Sequence, residues 1–279
     1  MDLKYKVLIE LAFNEDLDRI GDITTNSIIP VDQEGKAILR AKENGVVSGI
    51  QIFIDCFEYV DKSVIVEFNI SDGDKVSIGD EIATINGKLN SILKAERTAL
   101  NFIQRMSGIS TLTSKFADKL EGTNTKILDT RKTLPGFRFL DKCAVKMGGG
   151  KNHRIGLFDM FLIKDNHIKA AGSVTEAIVK AKEYKQSKNL EAKIEVEIKD
   201  IVEFKEALVE GADIIMLDNM NREDILECVK LNNGASKLEI SGNVTIETVG
   251  KIADTGVDYI SSGALTHSVK GLDLSLLVL

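Results

Sequence analysis

The pattern of apolar and polar positions changes near residue 125, and the two parts of the chain predict different architectures. An amphipathic helix is predicted over residues 1–20 from apolar positions at helical spacing, namely Leu3, Val7, Leu8, Leu11 and Leu17. Strands are predicted at 36–41 and 64–70, on either side of an apolar helix at 52–60. Over 71–88, glycines separate short β runs, which predicts strands joined by tight turns. Together these elements predict an α+β domain over residues 1–108.

A long helix is predicted to begin near Ser91, whose hydroxyl would cap it. Its apolar stripe consists of Leu93, Leu100, Ile103 and Met106. We expect Gly108 to break or bend this helix before it continues over 109–120. On this pattern alone, Arg97 is a solvated helix residue.

From residue 125 onward, strands and helices alternate regularly. Six apolar runs each end at a polar or ionisable residue, namely Asp129, Lys164, Glu197, Asp218, Ser241 and Ser262. Amphipathic helical segments separate them at 137–147, 174–185, 202–210, 222–231 and 246–255. Such alternation is typical of a parallel α/β sheet. The fold class predicted is α/β, with a parallel sheet that is either closed into a barrel or wound open. Only about six βα units are present, so an eight-unit barrel is not supported.

Composition excludes several classes of protein. The formal net charge of −7 argues against nucleic acid and anionic membrane as partners. No apolar run approaches the roughly 20 residues that a membrane span requires. The cysteines (Cys56, Cys143 and Cys228) are odd in number and far apart, so neither a disulfide framework nor a zinc site is indicated. The expected compartment is the reducing cytoplasm.

Residues 129–168 carry the opposite charge, with eight Arg or Lys against four Asp. Reactive groups of parallel barrels lie at the carboxyl ends of the strands. There Arg131, Lys132, Arg154 and Lys164 offer charge-assisted hydrogen bonds of about 1.5–3 kcal/mol each to an anion. A solvated basic face is the alternative, although the charges alternate with glycine turns and apolar strands.

Two further groups of residues complete the predicted site. Glu197 and Asp218 could hold sugar hydroxyls or hydrated Mg²⁺, and salt bridges to the nearby cations are equally compatible with the sequence. The small residues of two late turns, Ser241-Gly242-Asn243 and Ser262-Gly263-Ala264, would let backbone N–H groups approach an anion. His153 and His167 lack metal-ligand spacing, so we expect them to bind an anion or form hydrogen bonds.

The ordered motifs around these residues resemble the quinolinate phosphoribosyltransferase family, also called nicotinate-nucleotide pyrophosphorylase (carboxylating). The shared motifs are EDLDRIGDITT, ERTALNFIQRMSGIST, DTRKTLPGFR, GGGKNHRIGLFD, LIKDNHI, EVE, LDN, SGNVT and GVDYISSGALTHS. This resemblance implies an N-terminal α/β sandwich domain (1–108), an incomplete barrel (109–266) and a segment that returns to the N-terminal domain (267–279). It also implies a homodimer, with or without higher assembly, in which Arg97 enters the partner's site.

The resemblance implies phosphoribosyl transfer from phosphoribosyl pyrophosphate to quinolinate, with decarboxylation, in de novo NAD biosynthesis. Mg²⁺ would accompany the phosphoribosyl donor without a direct protein ligand, reached by Glu197 and Asp218 through water or ribose. The implied catalytic residues are Lys132, Lys164, Glu197 and Asp218. The implied substrate-binding residues are Arg97, Thr130, Arg131, Lys132, His153, Arg154, Lys164, Glu197, Asp218, Ser241, Gly242, Asn243, Ser262, Gly263 and Ala264.

Three alternatives remain at this point. A paralogue associated with molybdenum transport shares much of the motif pattern. A Schiff-base aldolase could use Lys164 as its nucleophile, since a strand-end lysine in a barrel can take that role. A phosphometabolite sensor would bind the same anions without turnover.

Overall fold

A computed structural model describes residues 5–279. The helices are α1 (Lys6–Leu17), α2 (Ile23–Ile28), α3 (Ile50–Val60), α4 (Leu89–Asp118), α5 (Arg138–Met147), α6 (Asp165–Ala171), α7 (Val174–Ser187), α8 (Ile201–Val209), α9 (Arg222–Asn232), α10 (Val249–Ala253) and α11 (Ala264–His267). The strands are β1 (Glu34–Ala41), β2 (Gly45–Val46), β3 (Ile65–Phe68), β4 (Lys75–Val76), β5 (Glu81–Lys88), β6 (Lys126–Leu128), β7 (Phe161–Ile163), β8 (Ile194–Ile198), β9 (Ile214–Asp218), β10 (Lys237–Ser241), β11 (Tyr259–Ser261) and β12 (Leu274–Val278). Among the helices described, none is long and apolar enough to cross a membrane.

The chain forms two compact units. The first consists of the residues up to Ser114 together with Thr133–Gly149 and Leu265–Leu279, and the second of Lys115–Lys132 and Gly150–Ala264. The segment that holds α5 therefore groups with the first unit, although the sequence places it within the barrel domain. The predicted domain limits at 108 and 266 stay predictions.

The first unit is built on an antiparallel sheet in the order β12-β1-β5-β3. Ala37, Leu39 and Ala41 of β1 are fully buried, as the two-residue period of a strand with one covered face requires. On its outer side β1 pairs with β12, with Ala41 opposite Leu274. Residues near both ends of the chain thus complete one sheet.

The first helix is confirmed, but two positions of its predicted apolar stripe are wrong, while Leu8 and Leu17 are half-buried. Ile9 and Phe13 are the buried positions of α1, whereas Val7 and Leu11 are 57% and 58% exposed. Leu3 of the predicted stripe lies outside the described residues. The sequence contains apolar residues on more than one face of this helix, and spacing alone did not identify the covered one.

Helix α4 runs without interruption for 30 residues, so the predicted break at Gly108 is wrong. A Cβ atom at Gly108 would lie 2.2 Å from the carbonyl oxygen of Lys270 and 3.0 Å from Cα of Gly271. Glycine is required there because another backbone segment of the same unit crosses the helix closely. Ser91 also does not cap α4, since it lies inside the helix and donates a hydrogen bond to Asp61 (2.8 Å).

We expect Gly108→Ala to lower the free energy of unfolding by about 1–3 kcal/mol, because the added methyl group must displace backbone. An exposed helical glycine replaced by alanine would instead gain up to about 1 kcal/mol. Gly250 in α10 is the matched control, since its Cβ would meet nothing closer than 3.6 Å. Urea denaturation of the two variants tests this difference, and a stabilised Gly108→Ala protein would contradict it.

The second unit contains the predicted parallel sheet, in the order β6-β11-β10-β9-β8-β7. All six predicted strands are present, and the apolar positions Val196, Ile215 and Ile260 are fully buried. Strands β6 and β7 form the two edges, so the barrel is incomplete. Parallel strands end on the same side of their sheet, which brings the residues after their carboxyl ends together.

Candidate active site

A cavity at the carboxyl ends of the parallel strands contains the four predicted cations. We call it the cationic cavity; it has a volume of about 210 Å³ and is lined by Thr130, Arg131, Lys132, His153, Arg154, Leu162, Lys164, Met216, Glu239, Ser241 and Ser261. Arg131 and Lys132 follow β6, and Lys164 follows β7. The cations Arg138, Lys142 and Lys146 of the same basic stretch lie on α5 and belong to the first unit.

The loop that carries Arg154 is fastened to the end of β6. Lys151 forms an isolated parallel bridge with Leu128, and the buried carboxylate of Asp129 accepts a hydrogen bond from the backbone of His153 (2.9 Å). The guanidinium of Arg154 donates to the carbonyl of Met160 (3.3 Å). Burial, followed by the nearby charge of Arg131, lowers the pKa of Arg154. A bound anion would relieve the repulsion between these two arginines.

Lys164 connects the cationic cavity with a second, acidic cleft. Its ammonium group donates to the carboxylate of Glu197. Glu197 and Asp218 line a cleft of about 710 Å³, whose other ionisable residues are Asp165, Lys169, Lys199, Glu203 and Glu206. One of the sequence-derived alternatives, a salt bridge between Glu197 and a cation of the basic stretch, is therefore present. Asp218 instead accepts a hydrogen bond from Asn219 (3.1 Å).

The first of the two late turns is held by Asn219, which the sequence analysis did not select. Asn219 and Asn243 both have positive φ (52° and 48°), and the side-chain oxygen of Asn219 accepts a hydrogen bond from Asn243 (3.3 Å). Gly242 lies against Asn219 so closely that a Cβ would be 2.1 Å from that oxygen. Asn219 thus links Asp218 to the turn after β10.

The second late turn, Ser262 to Ala264, is tied to the other end of the sheet. The backbone N–H of Ser262 donates to the carbonyl of Leu128 in β6 (3.1 Å). Ser241 and Ser261 line the cationic cavity, and the turn residues follow them directly in sequence. Both predicted turns therefore lie at the carboxyl edge of the sheet, where their small side chains leave the backbone accessible.

Both histidines of the basic stretch form hydrogen bonds through Nδ1. His167 accepts from the backbone N–H of Lys164 (2.9 Å) and so fixes the start of α6 directly after the strand. His153 accepts from the backbone N–H of Arg154 (2.8 Å), and its Nε2 lies 2.9 Å from Oε2 of Glu195. His153 therefore lines the cavity with Nδ1 bonded to the backbone and Nε2 next to a buried carboxylate.

Two buried glutamates, Glu195 and Glu239, were not predicted from the sequence, and Glu239 lines the cavity. Both are 0% exposed, and burial raises the pKa of each. They precede the predicted site residues Glu197 and Ser241 by two positions, so each points to the same face of its strand as that residue. The signal for them was a glutamate inside an apolar parallel strand, where both faces are covered and ionisable residues are rare.

Arg97 lies on α4 in the first unit and has an exposed side chain. It lines a cavity of about 300 Å³ together with Ala12, Glu15, Asp16, Thr98, Asn101, Phe102, Arg105 and Phe137. Arg105 in this cavity is bound by the buried carboxylate of Asp141 through two hydrogen bonds (3.1 and 2.8 Å). Arg105 therefore has a structural role in its ion pair with Asp141, whereas the side chain of Arg97 is exposed to solvent.

Comparison with known proteins shows one family over nearly the whole chain. Residues 22–107 match the N-terminal domain and residues 109–277 the C-terminal domain of quinolinate phosphoribosyl transferase. The chain is 50% identical over 286 residues to quinolinate phosphoribosyltransferase [decarboxylating] 1b of Nicotiana tabacum, an alignment that covers 97% of this chain and 81% of that protein. It is 43% identical to the probable nicotinate-nucleotide pyrophosphorylase [carboxylating] of Bacillus subtilis, covering 98% and 93% of the two chains. The solved nicotinate-nucleotide pyrophosphorylase of Francisella tularensis superposes with a TM-score of 0.94 at 41% identity, covering 99% and 96%.

Proposed function

The chain belongs to the quinolinate phosphoribosyltransferase family, and from this premise we propose that it is a decarboxylating pentosyltransferase of de novo NAD biosynthesis. It transfers the phosphoribosyl group of phosphoribosyl pyrophosphate to quinolinate and gives nicotinate mononucleotide, CO₂ and pyrophosphate. The observation that carries this proposal is the convergence of Arg131, Lys132, Arg154 and Lys164 in one cavity beside a carboxylate-lined cleft.

The charges of the substrates match these two spaces. Quinolinate is a pyridine dicarboxylate, and the donor carries a 5′-phosphate and a pyrophosphate, so both need cations and N–H donors. Arginine offers a planar fork that suits carboxylate and phosphate. The hydroxyl groups of the ribose need hydrogen-bond acceptors. Glu197 and Asp218 supply carboxylate oxygens for them at neighbouring strand ends.

Transfer proceeds by attack of the pyridine nitrogen on the anomeric carbon of the donor. The C–N bond forms as the C–O bond to pyrophosphate breaks, and the leaving oxygen keeps the electron pair. Positive charge then builds on the ribose, where Glu197 and Asp218 stabilise it electrostatically. Lys132 and Lys164 hold the anionic groups in place, so catalysis depends on positioning rather than on a nucleophilic side chain.

Decarboxylation follows from the product of that transfer. The pyridinium ring accepts the electron pair of the breaking C–C bond as the 2-carboxylate leaves as CO₂. A proton from solvent then binds to the ring carbon that lost the carboxylate. A Schiff-base mechanism has no comparable support, because the ammonium group of Lys164 is held by Glu197.

Mg²⁺, when bound with the phosphoribosyl donor, would supply charge neutralisation for the pyrophosphate leaving group. The donor set of the acidic cleft fits a hydrated ion, since carboxylate oxygens are the ligands that Mg²⁺ prefers and it retains several waters. No side chain is assigned as a direct ligand. Glu197 and Asp218 are the residues that would hold the ion, through water or through the ribose.

The proposal includes a homodimer in which Arg97 completes the partner's site. Its support is the exposed position of Arg97 on α4, beside the neighbouring arginine that is committed to Asp141. The exposed Val7 and Leu11 of α1, in the same unit, offer apolar surface for such an interface. A reducing compartment, the cytoplasm, is proposed because the thiols of Cys56, Cys143 and Cys228 are free.

A product assay tests the proposed reaction. Purified protein with quinolinate, phosphoribosyl pyrophosphate and Mg²⁺ should release CO₂ and form nicotinate mononucleotide in equal amounts. Nicotinate in place of quinolinate is the control, because it cannot release CO₂. Absence of product at high enzyme concentration would refute the function, whatever the state of the individual site residues.

Mixed dimers test the role of Arg97. We expect Arg97→Ala and Lys132→Ala each to be nearly inactive alone, and their mixture to recover about one quarter of wild-type activity after random subunit exchange. The recovery arises because each mixed dimer contains one site with both native residues. Native mass spectrometry of isotope-labelled protein monitors exchange, and exchange without recovered activity would place Arg97 outside the shared site.

A further inference from the structure

A buried cluster of three ionisable residues adjoins the cationic cavity, and two of its members line that cavity. It consists of His153, Glu195 from β8 and Glu239 from β10, and their ligand atoms all lie within 4.8 Å of one another. Nε2 of His153 is 2.9 Å from Oε2 of Glu195 and 3.6 Å from Oε2 of Glu239. We call this group the acid cluster. None of the reaction steps above uses the two glutamates.

The hydrogen bonds of His153 define its protonation. Its Nδ1 accepts a hydrogen bond from the backbone N–H of Arg154 (2.8 Å), so Nδ1 must carry a lone pair. A neutral imidazole with a free Nδ1 lone pair carries its hydrogen on Nε2. Nε2 therefore carries the hydrogen, and of the two glutamates Glu195 lies nearer to it, with Oε2 at 2.9 Å against 3.6 Å for Glu239.

The two glutamates cannot both be charged. Two carboxylates at 0% exposure whose ligand atoms lie within 4.8 Å of each other repel without solvent screening, so the pair retains at least one proton. Glu195 faces Arg154 and Lys164, along with the charge of Glu197. Glu239 faces Glu195, His153 and the hydroxyl of Ser261. The nearby cations favour Glu195 as the anion and Glu239 as the neutral acid.

We propose that Glu195 and Glu239 are positioning residues of the cationic cavity. The carboxylate of Glu195 accepts the Nε2–H of His153 and is the fixed counter-charge for Arg154, while neutral Glu239 orients Glu195. Through His153, the cluster fixes the backbone turn from which the Arg154 guanidinium reaches the anionic substrate. The kinetic effects expected of the two glutamates rest on the proposed function. The protonation state of His153 depends on the fold alone.

The same three residues could be considered a metal site, because a histidine and two carboxylates are common ligands of transition metals. The Nδ1 hydrogen bond argues against this use. A metal would need the lone pair of Nε2, and this tautomer carries a hydrogen there. The geometry therefore favours a donor at Nε2 and not a ligand.

Kinetics of two isosteric variants test the division of roles. Glutamine at Glu239 still donates to Glu195, whereas glutamine at Glu195 removes the counter-charge and presents an amide to His153. We expect Glu195→Gln to lower kcat/KM for quinolinate about 30–100-fold, chiefly through KM, because replacing a group that orients a site residue typically costs about 10–100-fold. Glu239→Gln keeps a donor to Glu195 and should lower kcat/KM by about 10-fold only. Glu227→Gln, an exposed position of α9, is the control with unchanged kinetics. Equal losses in both variants, or a loss confined to kcat, would overturn the proposal.

Nuclear magnetic resonance tests the cluster independently of activity. The chain has only three histidines, and the signals missing in His153→Gln assign its ring nitrogens. We expect wild-type His153 to be the neutral Nε2–H tautomer at neutral pH, and Glu195→Gln to alter its nitrogen shifts more than Glu239→Gln does. A charged imidazole or an Nδ1–H tautomer would overturn the proposal, even if the enzyme assay succeeds.

Titration with ZnCl₂ alone distinguishes the metal alternative. Equilibrium dialysis should show no stoichiometric Zn²⁺ site that depends on Glu195 and Glu239. Zn²⁺ bound one per chain by wild-type protein, and lost in both glutamine variants, would replace the positioning role by a metal site. If wild-type protein lacks transferase activity but His153 is the neutral Nε2–H tautomer, the proposed function is refuted and the proposed protonation of the acid cluster is supported.

Discussion

Lys164→Ala is expected to lower kcat/KM about 1000-fold, which corresponds to about 4 kcal/mol of transition-state stabilisation. The lysine lines the cationic cavity and is bound to Glu197 of the acidic cleft. Its removal takes away one of four cations and also leaves Glu197 as an uncompensated negative charge beside the substrate anions. Losses of this size are typical when one partner of a charged pair in a binding site is truncated. Steady-state kinetics with each substrate varied measure the change.

Lys237→Ala is the matched control for this experiment. Lys237 also pairs with a carboxylate, Asp258 (2.7 Å), but it lies at the amino end of β10, on the opposite edge of the same sheet. Being exposed, this pair should contribute at most about 1 kcal/mol to stability. We expect kcat/KM to stay within about twofold of wild type. A similar loss in both variants would show that Lys164 acts through the fold and not through the substrate.

Gly242→Ala is expected to lower kcat/KM about 100-fold, although the change adds only one methyl group. That methyl group would lie 2.1 Å from Oδ1 of Asn219, so Asn219 must move. Asn219 donates to Asp218 and accepts from Asn243, and its displacement would therefore disturb a carboxylate and a turn of the site together. Small misplacements of positioning groups can cost this much in rate. Kinetics and the unfolding midpoint should be measured on the same protein.

Gly234→Ala separates backbone strain from steric displacement. Gly234 has a positive φ of 80°, comparable to the 98° of Gly242, but a Cβ there would meet nothing within 4 Å. We expect it to lose about 1 kcal/mol of stability and no activity. If Gly234→Ala reduced activity as strongly as Gly242→Ala, the contact with Asn219 would not be the cause.

The carboxyl edge of the parallel sheet was predictable from the sequence because each strand changes abruptly from apolar to polar. Lys164 and Asp218 each follow a run of apolar residues, and this pattern needs no tertiary information. The positions of Arg131, Lys132 and Lys164 followed, since parallel strands end on one side. Arg154 instead reaches the cavity on a loop that is fastened to the end of β6. The motif resemblance added the reaction and Arg97, which on its helix pattern alone was an ordinary solvated residue.

The parts that were not predicted depend on contacts between distant segments. Gly108 appeared to be a helix breaker because propensity cannot detect the backbone of Lys270 crossing the helix. Asn219 was overlooked because its importance comes from the turn at Gly242, which is adjacent only in the fold. Glu195 and Glu239 were not predicted because they lie within runs that are otherwise apolar, although a glutamate inside a doubly covered strand is a usable signal.

The pairing of β12 with β1 has a consequence for biosynthesis. The edge of the first sheet exposes unpaired backbone groups until Leu274–Val278 has been made, long after Glu34–Ala41 leaves the ribosome. At about 5–20 residues per second, this wait is on the order of 10–50 s. During translation the first unit is therefore an open-edged intermediate that other nascent chains can pair with, whereas all strands of the second unit's sheet are already synthesised. Chaperone dependence of expression should concentrate on the first unit, and supplying residues 265–279 early, through circular permutation, should reduce it.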